Sequence, residues 1–190
     1  IVPSVAADQI VRDDAVESMA VKFDYTALLS DGTSNTPKGI KFSPGHTDVN
    51  IGAAFDADNP AKFLLALMDA KVRISAGGKL GWAFSPEIWY DLYTLKSTSG
   101  DIHYFREELN RGKFMGYDYG ISQQITKSGG VTDVFFGDWR ELLIARQGMM
   151  QIDSSAEAAD NNSAGTVTAA YSNDQTVVRL IDRHDIGLRQ

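Results

Sequence analysis

The chain has 190 residues, of which 43% are hydrophobic and 23% charged, a composition that excludes a chain disordered throughout. Its formal net charge is -7 and its lysines and arginines are scattered, which disfavours a dedicated DNA or RNA reader, since such proteins carry a basic stripe. The lack of cysteine excludes disulfides and thiolate sites, and the longest apolar run, residues 63–68, is far shorter than the ~20 residues of a membrane span.

The first predicted element is a helix from Asp14 to Leu29 with Asp13 as its N-cap. Turn residues at positions 30–33 end it. Its apolar residues recur at spacings of three and four and form one stripe, consisting of Val16, Met19, Ala20, Phe23 and Ala27.

Two more helices and a short strand are predicted next. The second helix runs from Asn59-Pro60, a typical helix start, to Gly77-Gly78, a typical helix end. A short buried strand is predicted at Leu80–Phe84, and Ser85-Pro86 opens a third helix that runs through Tyr93 or Leu95.

The rest of the chain is predicted to form strands joined by turns that contain glycine. These strands lie at Met115–Gln124, Val134–Phe136, Leu142–Ala145, Met149–Ile152 and Thr176–Leu188. The segment from Ser154 to Gly165, rich in small and polar residues, is predicted to be a flexible loop. Because helices come first and strands later, the predicted fold class is α+β.

The histidines His46, His103 and His184 are far apart in the sequence and belong to no metal or catalytic motif. Surface or structural roles are therefore favoured over a zinc or catalytic site. An enzyme whose site is assembled from distant residues, such as His103, Glu107 and Asp138, remains a minor alternative.

The remaining polar motifs also fail as sites. Asp56–Asn59 and Asp160–Gly165 begin like calcium loops but lack required ligands. The adjacent carboxylates Asp13-Asp14 and Glu107-Glu108 do not face each other in a regular element, so they cannot act as an acid/base pair. No catalytic, cofactor-binding or metal-binding residue is therefore assigned, and no cofactor is expected.

Four aromatic residues, Trp82, Trp89, Tyr90 and Tyr93, cluster around the short strand and the third helix. They could line a ligand pocket. Core packing is favoured, because each ring buries a large apolar area and needs at most one polar partner.

Six short segments follow one another in a distinctive order. They are Pro3–Thr33 with its Leu28-Leu29-Ser30-Asp31-Gly32-Thr33 end, Pro37–Ile40, Gly81–Pro86, Lys113–Tyr117, Phe135–Trp139 and Val178–Asp185. In order and spacing they resemble segments of the tailed-bacteriophage major capsid proteins. Two departures from that family's pattern are Ser30, where a glycine is usual, and Asp118, where a proline is usual.

The resemblance implies the HK-ninety-seven-type shell fold, with a long spine helix packed on a mostly antiparallel sheet. It assigns residues 1–38 and 146–190 to a peripheral lobe and residues 39–145 to an axial lobe. The N-terminal arm and the extended hairpin of the family are not recognised in this sequence.

The resemblance also implies a function: a structural, non-enzymatic subunit of a phage or prophage capsid, made in the bacterial cytoplasm and located in the virion. Its partners would be copies of itself, in pentamers and hexamers that enclose DNA without binding it specifically, and no membrane is expected. Without the arm and hairpin, the 190-residue chain alone is expected to stay monomeric or weakly associated. The alternative within the same fold is an encapsulin-type compartment, which encloses enzymes rather than DNA.

Overall fold

The computed structural model describes residues 5–50, 62, 65, 79–97, 102–127, 129–161 and 167–189. The chain divides into two compact units, one of Ile1–Glu17 with Ile144–Asp185 and one of Ser18–Leu143 with Ile186–Gln190. We call them the ribbon unit and the sheet unit. Within the described residues, the helices fall short of the length and apolarity that a bilayer crossing would need.

Helix α1 spans Val5–Leu29 and begins well before the predicted start. The prediction that Asp13 caps this helix is wrong: Asp13 lies in its interior, where its carboxylate accepts a hydrogen bond of 2.8 Å from the side chain of Gln9. Residues 5–12 contain neither glycine nor proline, so the preceding sequence supplies no strong helix breaker. The predicted end at Leu29 is confirmed.

The sheet unit is built on four strands: β1 (Leu80–Phe84), β2 (Lys113–Phe114), β3 (Tyr117–Ile121) and β4 (Phe135–Asp138). Their order is β2-β3-β1-β4, with β1 parallel to β3 and antiparallel to β4. The predicted strand at Leu80–Phe84 is confirmed and is the most buried of the four. The prediction of one strand over Met115–Gln124 is wrong at its start, because Met115 and Gly116 adopt positive φ angles of 53° and 83° and form the turn between β2 and β3.

Two helices pack beside this sheet. Helix α2 spans Pro86–Thr94, which confirms the predicted start at Ser85-Pro86, and Ser85 caps it by accepting a hydrogen bond from the Ile88 amide at 3.2 Å. Helix α3, Arg106–Asn110, was not predicted, because five residues are too few to show a helical period. The buried core of the unit consists of Trp82, Phe84, Ile88, Leu92, Leu109 and Phe114.

The end of α1 is tied to this unit by polar contacts. The Ser122 hydroxyl donates a hydrogen bond to the Asp24 carboxylate, and the amide of Gly39 donates to the carbonyl of Ser30 at 2.8 Å. Lys41, the middle residue of the 3-10 turn Ile40–Phe42, pairs with Asp133 at 2.6 Å.

The ribbon unit consists mainly of paired strands. Strands β6 (Gln151–Ser155) and β9 (Val177–Ile181) form one antiparallel pair, and β7 (Ala159–Asn161) and β8 (Val167–Ala169) form another. Strands β5 (Leu142–Arg146) and β10 (His184–Leu188) also pair, and each of them begins in one unit and ends in the other.

Several predictions for this part of the chain need correction. The loop predicted over Ser154–Gly165 is wrong in part, because Ser154 and Ser155 belong to β6 and residues 159–161 form β7. Residues 162–166 lie outside the described residues, as does the predicted second helix except for Lys62 and Leu65, which are both helical. The strand predicted over Thr176–Leu188 is interrupted at residues 182 and 183, where β9 ends before β10 begins.

Candidate assembly surfaces

The Phe135–Trp139 motif has a structural role in the sheet unit. The Asp138 carboxylate accepts hydrogen bonds from the backbone amides of Lys79 at 2.9 Å and Arg140 at 3.1 Å. The indole nitrogen of Trp139 donates to the carbonyl of Gly81 at 3.0 Å. The motif therefore fixes the beginning of β1 against the end of β4. The Asp138 carboxylate is used in this structural role, since it accepts hydrogen bonds from two backbone amides.

The three histidines have separate surroundings. His46 lies beside the carbonyl of Ser43, with its Nε2 atom 3.3 Å from Asp48. His184 Nδ1 lies 3.1 Å from the carboxylate of Asp182. Within the described ranges, no group of three or more histidine, aspartate or glutamate residues is placed to hold a metal ion.

The other two members of the alternative enzyme site, Glu107 and His103, lie in separate surroundings. Glu107 is on the surface of α3 and lies 3.8 Å from Arg111, one turn along the same helix. His103 forms an isolated β-bridge with Lys96. Burial, and then the charges of Arg106 and Lys96, lower the pKa of His103. In the part of the chain that the structure describes, Glu107, His103 and Asp138 therefore each contact different residues and do not converge on one site.

The lowered pKa of His103 predicts a pH effect on stability. In the unfolded chain His103 binds a proton near its ordinary pKa of ~6.5, whereas in the folded chain it binds that proton only at lower pH. Between the lowered folded pKa and the unfolded pKa, the unfolded chain holds more protons, so stability falls as the pH falls through this window. We expect the urea midpoint to fall on acidification and His103→Gln to flatten that slope. His46→Gln serves as the control, and an equal flattening there would contradict the assignment.

The aromatic cluster is largely core, as predicted, with one exception. Trp82 is buried against Phe114 and Phe136, with ring centroids 5.2 and 4.4 Å away. Trp89 stacks on Tyr93 at 4.9 Å and is half-buried. Tyr90 is the exception, because 62% of it is exposed.

The predicted apolar stripe of α1 is only partly buried. Met19 and Phe23 are half-buried and Ala27 is buried, but Val16 and Ala20 are exposed. A second apolar face was missed. It carries exposed Ile10, Val11, Val21 and Tyr25, which lie within about 100° of one another around the helix axis at 3.6 residues per turn. We call this face the outer stripe.

The ribbon unit has almost no core of its own. Among its described side chains, Ala170 is the only buried hydrophobic residue. Large apolar side chains of the unit's strands and turns are instead exposed to solvent, namely Ile144, Met149, Val167, Tyr171 and Val178. Exposed apolar surface on this scale is typical of a protein that is covered by partners.

The folded chain is similar to capsid proteins of known structure. It superposes on a capsid of a native GTA particle with a TM-score of 0.65 at 15% identity, over 95% of this chain and 61% of that one. For a capsid of an empty GTA particle the TM-score is 0.63 at 14% identity, over 96% and 63%. For a structure of Gordonia phage Cozz it is 0.57 at 16% identity, over 96% and 63%. The expected HK-ninety-seven-type capsid fold is thereby confirmed.

Family membership follows from the sequence. Residues 3–190 match the model of the phage capsid family, and the chain belongs to this family. It is 26% identical over 191 residues to the major capsid protein of Klebsiella oxytoca phage phiKO2. That match covers 96% of this chain and 44% of the relative, so the chain spans less than half of the relative's length.

Proposed function

We propose that the chain is part of a structural subunit of an icosahedral phage or prophage capsid, which assembles from copies of itself into pentamers and hexamers. The observation that carries this proposal is the ribbon unit, which exposes large apolar side chains and buries only Ala170 among its described hydrophobic residues. The similarity to capsids that were computed with C5 symmetry supports the fivefold rings.

The ribbon unit leaves its apolar side chains without a covering layer. A two-stranded ribbon is marginally stable in water, because it has no hydrophobic face covered by another layer. The exposed side chains of the β5–β10 and β6–β9 pairs therefore gain most from a neighbouring subunit. Covering them requires no catalytic group and no cofactor.

We further propose the division into lobes that the resemblance implied. Residues 1–38 and 146–190 would form the peripheral lobe, and residues 39–145 the axial lobe. The proposal is supported by the distribution of elements, since the strands β1–β4 and the helices α2 and α3 all fall within 39–145.

The enclosed material would be DNA, held without specific contacts, in a virion assembled in the bacterial cytoplasm. The net charge of -7 supports this, because an acidic wall repels the phosphate backbone. The matched relative from a phage, named a major capsid protein, favours this reading over an encapsulin-type compartment.

Electron microscopy of the complete reading frame that contains this chain, expressed in bacteria, tests the proposal. We expect closed particles with fivefold vertices. A product that remains monomeric at high concentration, or that forms only open filaments, would contradict it.

The 190-residue chain alone should behave differently. Because it spans less than half of the matched relative, many subunit contacts would lie outside it, and each remaining contact is expected to be weak. Light scattering at micromolar concentration should therefore give the mass of a monomer or a weakly associated species. Discrete rings of five or six subunits would show this expectation to be wrong.

A further inference from the structure

A cluster of three basic residues lies at the end of α2. The segment that follows α2 pairs with residues 102–104 through hydrogen bonds from the Ser97 amide to the Ile102 carbonyl at 2.8 Å and from the Tyr104 amide to the Leu95 carbonyl at 3.3 Å. This pairing sets Lys96 opposite His103, and Arg106 follows at the start of α3. We call Lys96, His103 and Arg106 the basic corner.

The basic corner has no carboxylate partner among the described residues. The guanidinium of Arg106 lies over the ring of Tyr93, 4.7 Å from its centroid. Arg106 Nε and His103 Nδ1 are buried and have no hydrogen-bond partner in the described part of the chain. Lys96 and Arg106 carry like charges, and an anionic group from outside would relieve the repulsion between them.

Exposed apolar residues next to the basic corner favour a protein partner over a nucleic acid. Ile102 is 64% exposed and Tyr104 is 47% exposed. Arginine and tyrosine beside an apolar residue are typical of protein–protein interfaces. A nucleic-acid surface would need a longer basic track, which this acidic chain lacks.

A complementary surface lies at the beginning of the same helix. A shallow cavity of about 440 Å³ is lined by Pro86, Glu87, Tyr90, Asp91 and Lys127. Glu87 and Asp91 form no ion pair within the described ranges. The exposed ring of Tyr90 supplies an apolar floor. We call this cavity the acidic groove.

We propose that the basic corner of one copy docks into the acidic groove of the next copy. This rests on the proposed function and names a contact within it. Helix α2 has nine residues and is therefore about 14 Å long. The acidic groove extends along this helix from Pro86 to Asp91 and the basic corner follows the end of the helix, and we expect the two surfaces to pair between copies. A contact between two different surfaces repeats from copy to copy, and it closes into a ring when the rotation between neighbouring copies divides a full turn evenly.

Charge reversal in the complete gene product tests the docking. Lys96→Glu and Glu87→Lys, each alone, place like charges against each other and should raise the critical concentration for assembly by about tenfold or more. The double variant K96E/E87K restores the complementarity and should assemble close to the wild-type concentration. Lys79→Glu, a reversal at an exposed lysine outside both surfaces, should have little effect.

A further variant should change the critical concentration for assembly in the opposite direction. Lys127 lines the acidic groove and would repel the incoming basic corner, so Lys127→Gln should lower the critical concentration. The unfolding midpoints of all variants identify any that fail to fold. If the charge reversals do not fold, the critical concentration of Lys127→Gln still tests the docking.

Three outcomes would overturn the docking while leaving the proposed function intact. One is that wild type and both single reversals assemble equally well. Another is that the singles fail and K96E/E87K does not recover. The third is that Lys96→Glu assembles normally but loses affinity for DNA, which would make the basic corner a phosphate contact. Failure of the wild type to assemble would instead count against the proposed function.

Discussion

Replacing Gly39 with alanine is expected to lower the free energy of unfolding by about 3 kcal/mol. A Cβ atom at this position would lie 2.8 Å from three backbone atoms at the end of α1, namely the carbonyl carbon of Leu28, the nitrogen of Leu29 and the carbonyl oxygen of Thr26. Backbone atoms of a helix cannot move aside as a flexible side chain can. The hydrogen bond from the Gly39 amide to Ser30 also holds the segment in place.

Gly137→Ala is the matched control for this experiment. Gly137 lies in β4, and an added Cβ would meet nothing within 4 Å. Urea unfolding of both variants, followed by circular dichroism, gives the comparison. Similar midpoints for the two variants would mean that the close approach of residue 39 to α1 does not occur.

Placing a charge on the outer stripe of α1 should abolish particle formation without unfolding the subunit. Val21→Lys in the complete gene product would put an ammonium group on a face that carries exposed Ile10 and Tyr25. If a neighbouring subunit covers this face, the new charge must be desolvated, and the surface pair that it could form with Glu17 one turn earlier offsets only a few tenths of a kcal/mol of that cost. Because Val21 is exposed in the free chain, its unfolding midpoint should change little.

The control lies one residue away. Ala20 is also exposed but points about 100° away from Val21 around the helix. It belongs to the stripe predicted from sequence, whereas Val21 belongs to the stripe that is exposed in the structure. Sedimentation and electron microscopy should show particles for Ala20→Lys and none for Val21→Lys, and the reverse pattern would place the interface on the other face.

Sequence reasoning succeeded where local chemistry decides the structure. The Ser85-Pro86 start of α2 follows from capping and from proline geometry, and the buried strand Leu80–Phe84 follows from its apolar residues. The predicted start of α1 was wrong, because Asp13 and Asp14 are residue types that often cap helices but here lie inside a longer helix. Sequence reasoning also failed at β7, where pairing with β8 through the backbone makes a strand from alanine, aspartate and asparagine.

The candidate assembly surfaces could be predicted only in part. The family resemblance pointed to self-assembly, but exposure depends on which face of each element the rest of the chain covers. Both faces of α1 carry several apolar residues, although Asp14 and Ser18 also lie on the outer one, so periodicity alone could not show which face is covered. The basic corner is likewise created by the pairing of Lys96 with His103 and by the packing of Arg106 on Tyr93, neither of which a sequence motif records.

Hydrogen exchange of backbone amides, compared between assembled particles and unassembled complete protein, tests most directly whether neighbouring copies complete the ribbon unit. The amides of β1 and β3 should exchange slowly in both states, because the core of the sheet unit lies within one chain. The amides of β6 and β9 should exchange rapidly in the unassembled protein and at least about tenfold more slowly in particles. Equal exchange of β6 and β9 in the two states would contradict the account.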